Sequence, residues 1–177
     1  MIHMTAFHSS NVFRTWLVVS GLWAGLLTGA FAQAPGSGLA PGDAFAVTAS
    51  YANGQRFSNR TTEGTVTVAF FWNSNCAVCR DSLPELRANL AGWKTKPFSL
   101  LLVNLDRKAD DWLAYEKLVG QTQMNAKGLL SVRMEGELPT GVRLPLTLLI
   151  DSKGKVLKRF EGRLAPEVWD GVADLLP

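Results

Sequence analysis

The apolar pattern of the chain predicts an α/β fold: a central mixed sheet flanked by helices, entered through an N-terminal β-hairpin. Three observations carry this. Residues 65–72 and 98–105 are rich in β-branched, aromatic and aliphatic side chains and read as buried central strands. Each is followed by a stretch with helical spacing. The chain then closes with a strand (146–150), a turn (151–155), a returning strand (156–160) and a helix (166–176).

The 177 residues suffice for one domain with its own core, and composition is that of a globular protein, 47% apolar and 19% charged. The first 32 residues differ from the rest. Arg14 is followed by an uncharged apolar run from Trp16 that ends in Ala30-Phe31-Ala32, a small-x-small sequence. That is the order of parts in a secretory signal, so residues 1–32 are expected to direct export to the periplasm or beyond. An uncleaved anchor in the membrane is the alternative reading of the same run. Residues 33–42, rich in Ala, Gly, Pro and Ser, are expected to be a flexible lead-in, and residues 43–177 the folded domain.

Both histidines, His3 and His8, precede the expected cut. A mature chain without imidazole excludes Ser-His and Cys-His hydrolases and His-ligated zinc or copper. Loss of Arg14 lowers the formal charge from +3 to +2. The signs are mixed along the chain with no basic stripe, so nucleic acid is not an expected partner.

Within the domain, residues 45–51 and 55–57 flank Ala52-Asn53-Gly54, and Asn-Gly supplies the backbone of a tight turn. This is the expected hairpin. After the first central strand, Leu83, Leu86 and Leu90 recur at helical spacing, with Pro84 inside the pattern as an expected kink. Residues 110–119 read as a helix, and residues 121–141 give no clear pattern.

Cys76 and Cys79, the only cysteines, stand where the first central strand gives way to a helix. A C-x-x-C pair can be half a zinc site, a structural staple or a redox couple. Zinc normally takes four ligands, and the mature chain offers no other Cys or His. A staple over two residues closes too small a loop to restrict the unfolded chain much. Redox use has a positive reason. Cys76 at a helix N-terminus faces unpaired N–H groups and the positive end of the helix dipole, which favour the reactive thiolate. Cys79, one turn inside, would be shielded and would resolve a mixed disulfide. No cofactor or metal is expected.

The run Phe71-Trp72-Asn73-Ser74-Asn75-Cys76-Ala77-Val78-Cys79, with Pro84 after it, resembles the thioredoxin superfamily. Leu144-Pro145-Leu146 and the strand and turn that follow look like that superfamily's cis-proline strand. The long gap from Cys79 to Pro145, the hairpin and the export signal resemble its TlpA/ResA-like branch, over nearly the whole mature chain. The resemblance implies a thioredoxin-like sandwich and a thiol–disulfide oxidoreductase. It makes Cys76 the attacking thiol and Cys79 the resolving thiol. Pro145 would be cis and face the pair, Leu144 would offer its backbone to an extended substrate, and Trp72 would flank the site. It further implies protein thiol or disulfide substrates, apocytochrome c among them, and a membrane thiol-reducing partner.

Three positions depart from that pattern. Asn75 replaces the bulky residue usual before the first Cys. Ser82 and Phe70 stand where relatives carry a Glu and a buried Asp. With neither able to ionise, the proton of Cys79 has no evident acceptor; Asp81 is adjacent but on another helical face. Two other functions remain open on sequence: a Cu(I)-binding module using the two thiolates, and a non-catalytic interaction domain.

Overall fold

The computed structural model describes residues 37–123 and 126–177; the expected export signal, residues 1–32, lies outside them. Six strands form one sheet: β1 (Ala49–Ser50), β2 (Val66–Trp72), β3 (Phe98–Asn104), β4 (Leu129–Met134), β5 (Leu146–Ile150) and β6 (Val156–Glu161). Among the described residues, three α-helices accompany them: α1 (Ala77–Gly92), α2 (Ala109–Gln123) and α3 (Glu167–Ala173). The strands lie in the order β1-β4-β3-β2-β5-β6. β2, β3 and β4 run parallel, joined by the α1 and α2 crossovers, while β5, β6 and β1 are antiparallel to their neighbours. The expected mixed sheet is present, with a short hairpin at its start.

Every residue of β2 and β3 is buried because both faces of the sheet are covered. Side chains alternate between the two layers. Val66, Val68, Phe70, Trp72, Leu100 and Leu102 face a core completed by α1, Trp112 and α3. Ala69, Phe71, Leu101 and Val103 face a second core, with Leu146, Leu148 and Ile150 of β5 and Leu39, Phe45, Val47 and Phe57 of the N-terminal segment. This two-sided burial is why these strands read as continuous apolar runs.

The hairpin is shorter than the sequence suggests. Tyr51 N–H donates to the Gln55 carbonyl at 2.8 Å and Phe57 N–H to the Ala49 carbonyl at 2.8 Å, with Gly54 at φ 81° in the turn. Before it, Phe45, Val47 and Ala49 alternate inward as a strand would. The Val47 backbone, however, is satisfied by the side-chain amide of Asn59, at 3.0 and 3.3 Å, rather than by a neighbouring strand.

From Ser37 onward the expected flexible lead-in is fastened. Asp43 Oδ2 accepts the N–H groups of Gly38 (3.0 Å) and Ala40 (3.2 Å), Gly42 N–H donates to the Val156 carbonyl (2.8 Å), and Leu39 is buried. Gly38 has φ 72°, and a Cβ there would stand 2.9 Å from the Ala46 backbone, so glycine is required. Composition marks such a stretch as loop but carries no sign of the carboxylate that pins it.

β4 occupies part of the stretch without a clear pattern. Only Val132 of its residues is fully buried, so neither alternation nor an apolar run is visible. Among the described residues, no helix is long and apolar enough to cross a membrane.

Candidate active site

The site is built where β2 ends. Asn73 turns the chain, its carbonyl accepting from Cys76 N–H at 3.2 Å. Cys76 is then the N-cap of α1: its carbonyl accepts the first helical bond, from Arg80 N–H at 3.1 Å. Its Sγ accepts from the Cys79 N–H at 3.1 Å, the bond that serine or aspartate oxygens make at other N-caps. The two cysteines are disulfide-bonded, with Cα atoms 5.2 Å apart. Cys79 is 0% exposed and belongs to the α1-side core, on one stripe with Leu83, Leu86 and Leu90. Cys76 is half-buried at the edge of that core. One cysteine is therefore partly open to solvent and the other is not. Val78 between them is 45% exposed, an apolar surface beside Cys76. The helix continues through Pro84, which is itself exposed, to Gly92.

The Leu144–Pro145 peptide bond is cis. Pro145 is buried, and its carbonyl accepts from Gly162 N–H at 2.7 Å. The β2–β5 register pairs Phe71 with Leu146, so Pro145 stands at the end of β2 from which the Cys loop departs. Leu144 is half-buried, lies outside the β5 ladder and packs against both cores, beside the same cluster as Cys76. Glu161 fastens this segment from β6: its Oε2 accepts the Arg143 N–H at 3.2 Å while Oε1 pairs with Arg159 at 2.7 Å. Those donors hold the Glu161 carboxyl below its usual range, the Arg159 hydrogen bond first and the Arg143 backbone second. Trp72 is 0% exposed and stacks edge-on against Tyr115 at 4.6 Å. It supports the site from beneath and offers no surface to a substrate.

Two acidic residues with long-range partners escape sequence reasoning. Asp106, buried just past β3, accepts from Ser74 N–H (3.0 Å), Ser74 Oγ (3.0 Å) and Asn104 Nδ2 (2.9 Å). Arg80 donates to the Ser74 carbonyl. The loop before Cys76 is thus held through both polar groups of Ser74's backbone. The signal in the sequence was Asn104 and Asp106 at the end of an apolar strand, but only the β2–β3 register, Trp72 opposite Asn104, brings them to the Cys loop. The second is Glu85, whose Oε1 accepts from Trp169 Nε1 at 2.7 Å. Glu85, Ser82 and Phe70 line one small cavity of about 10 Å3 with Leu86, Leu164 and Trp169. Glu85 thus shares a cavity wall with positions 70 and 82, and Cys79 does not line that cavity. Asp81 is exposed.

The sheet order, the cis-proline strand and the disulfide at the start of α1 define a thioredoxin-like thiol–disulfide oxidoreductase. The sequence model of the AhpC/TSA family matches residues 41–169, and the chain belongs to that family. No curated protein matches the chain. Among solved structures, a protein assigned as the thiol:disulfide interchange protein DsbE of Chlorobium tepidum is 27% identical with a TM-score of 0.57, covering 77% of this chain and 95% of its own. A thiol:disulfide interchange protein from Bacteroides sp. is 20% identical with a TM-score of 0.62, over 77% of this chain and 90% of its own. The thioredoxin domain of a thiol-disulfide oxidoreductase from Bacteroides vulgatus is 22% identical with a TM-score of 0.58, over 77% and 97%.

Proposed function

We propose that this chain is an exported oxidoreductase that exchanges the Cys76–Cys79 dithiol and disulfide with cysteines of other proteins, apocytochrome c first among them. The carrying observation is the asymmetry of the pair: a half-buried cysteine at a helix N-terminus backed by a wholly buried one. In the reduced protein, the N–H groups at the start of α1 favour the Cys76 thiolate. That thiolate attacks one sulfur of a substrate disulfide, and the other sulfur leaves as a thiolate. Cys79 then loses its proton and attacks Cys76 Sγ. The second substrate sulfur departs, two electrons have passed to the substrate, and the Cys76–Cys79 disulfide remains. A membrane thiol-reducing partner restores the dithiol by the same steps in reverse. Leu144 and Pro145 flank Cys76 and present the substrate backbone.

Free thiols titrated across a glutathione redox series test the core of this reading. One two-electron transition involving both cysteines is expected. Two thiols that stay reduced in oxidising buffer would end it. Export is tested separately, by locating the chain after fractionation of cells that express its full sequence.

A further inference from the structure

Among the described residues, four buried side-chain polar atoms have no hydrogen-bond partner in the protein: Trp72 Nε1, Arg87 Nε, Trp112 Nε1 and Thr147 Oγ1. The first three are N–H donors only, so Thr147 is the one of the four that can also accept. The sheet defines its place. In β5, Leu146, Leu148 and Ile150 face the core shared with the N-terminal segment. Thr147 therefore faces the other way, as Leu149 does, into the core that α1 covers. It pairs with Phe70 of β2 and is 1% exposed. The α1 crossover returns over the sheet from the end of β2 to the start of β3, so its first turn lies above the end of β2. Cys79 stands in that turn and belongs to the same core as Phe70. The Thr147 hydroxyl thus lies in the layer beneath Cys79, at the same end of the sheet.

We propose that the Thr147 hydroxyl is the hydrogen-bond partner of Cys79 in the reduced protein, and so sets how readily the Cys76–Cys79 disulfide is reduced. The inference rests on the redox reading above and adds a positioning residue to it. In the oxidised protein the Cys79 sulfur is bonded to Cys76 and has no proton to offer, and Thr147 is unpaired. Two glutathione thiols reduce that bond. Two electrons and two protons pass to the protein, giving two thiols, and one glutathione disulfide leaves. The protein sulfurs then separate from bonding to contact distance. Cys76 Sγ is held at the helix start by the Cys79 N–H at 3.1 Å, so the separation falls on the Cys79 side chain, which turns inward. There its S–H donates to Thr147 Oγ1, and once Cys79 has lost its proton the same hydroxyl donates to the thiolate. Neighbouring groups do not compete. Ser82 Oγ donates to the Val78 carbonyl at 2.8 Å and lines a cavity that Cys79 does not, and Phe70 carries no polar side-chain atom. An orphaned buried hydroxyl penalises the oxidised state, and a paired one favours the reduced state. Thr147 thereby makes the disulfide a stronger oxidant than the same site with an apolar residue.

The test compares the full chain with its Thr147→Val and Thr147→Ser variants. Each is equilibrated with glutathione and glutathione disulfide over a range of ratios, and free thiols are counted by alkylation and mass spectrometry. In Thr147→Val the equilibrium constant is expected to shift about fivefold toward the protein disulfide, because one net hydrogen bond is lost from the reduced state alone. Thr147→Ser keeps the hydroxyl and should stay within about twofold of the parent. Urea unfolding separates this role from packing. Oxidised Thr147→Val should unfold at the parental urea concentration or above it, and reduced Thr147→Val below the reduced parent. A Thr147→Val constant within about twofold of the parent would overturn the proposal, as would a Thr147→Ser shift as large as that of Thr147→Val. Oxidised Thr147→Val that is destabilised as much as the reduced form, or that does not fold, would show the hydroxyl already paired in the oxidised state and would overturn it too. Failure of the redox reading looks different: the parent itself would show no two-electron transition.

Discussion

Replacing Asp106 with alanine should weaken the fold and disorganise the redox centre together. The carboxylate serves three donors: the Ser74 N–H, the Ser74 hydroxyl and the Asn104 amide. Asn104 is 0% exposed, so water cannot replace its lost acceptor, and an orphaned buried donor costs about 1–3 kcal/mol. Ser74 is half-buried, and water recovers part of its two bonds, leaving about 1 kcal/mol lost. Removing a buried charge offsets some of this, so the expected destabilisation is about 2–4 kcal/mol, with a Tm lowered by about 5–15 °C. Asp106→Asn keeps one acceptor oxygen and should fall between. Urea unfolding of the oxidised protein measures the stability. Exchange of reduced protein with a small aromatic disulfide measures Cys76, which should slow in Asp106→Ala because Ser74, two residues before it, is released. A variant within about 0.5 kcal/mol of the parent that exchanges at the parental rate would show that the Ser74 anchor matters to neither.

Three further outcomes are expected. Cys79→Ser should accumulate mixed disulfides with protein substrates while Cys76→Ser should not, read on non-reducing gels; trapping with the opposite preference reverses the roles of attacking and resolving thiol. Ser82→Glu should speed release of substrate from the mixed disulfide by at least about tenfold near neutral pH, because it puts a proton acceptor one helical turn from Cys79 where serine cannot serve; rapid-quench kinetics unchanged by Ser82→Glu would leave the proton of Cys79 to solvent. Glu161, whose carboxyl is held low by Arg159 and Arg143, stabilises the fold above the usual carboxylate range and loses that contribution as pH falls through its folded value; the gap in stability between the parent and Glu161→Gln should be present at neutral pH and close in acid, and a gap that persists undiminished would remove Glu161 as the anchor of the segment before Pro145.

What could be read from the sequence was what burial imprints on it. β2 and β3 are covered on both faces, so their composition announces them, and the Cys pair announces the helix that begins there. β4 leaves no such imprint because it lies next to the sheet edge with one fully buried residue, Val132. The two acidic side chains with long-range partners were missed for a related reason. Asp106 and Glu85 act through partners 32 and 84 residues away, Ser74 and Trp169, and no local pattern records a pairing of that range. The fastening of residues 38–40 left no imprint for the same reason: Asp43 captures Gly38 and Ala40 because the backbone there can take a glycine-only turn.

The two rims of the sheet have a consequence for a protein proposed to exchange disulfides with other polypeptides. Such chains carry unpaired backbone groups that seek a strand to join, and a long flat edge would recruit them whatever their sequence. One rim here is a strand of two residues, with Ser50 committed to Glu135 at 2.6 Å. The other, β6, carries Lys158 and Arg159, and its pairing with β5 is irregular between Leu149 and Ile150. Neither rim is a template for fibril growth. Blunt, charged borders of this kind leave no row of free backbone groups for another strand to join.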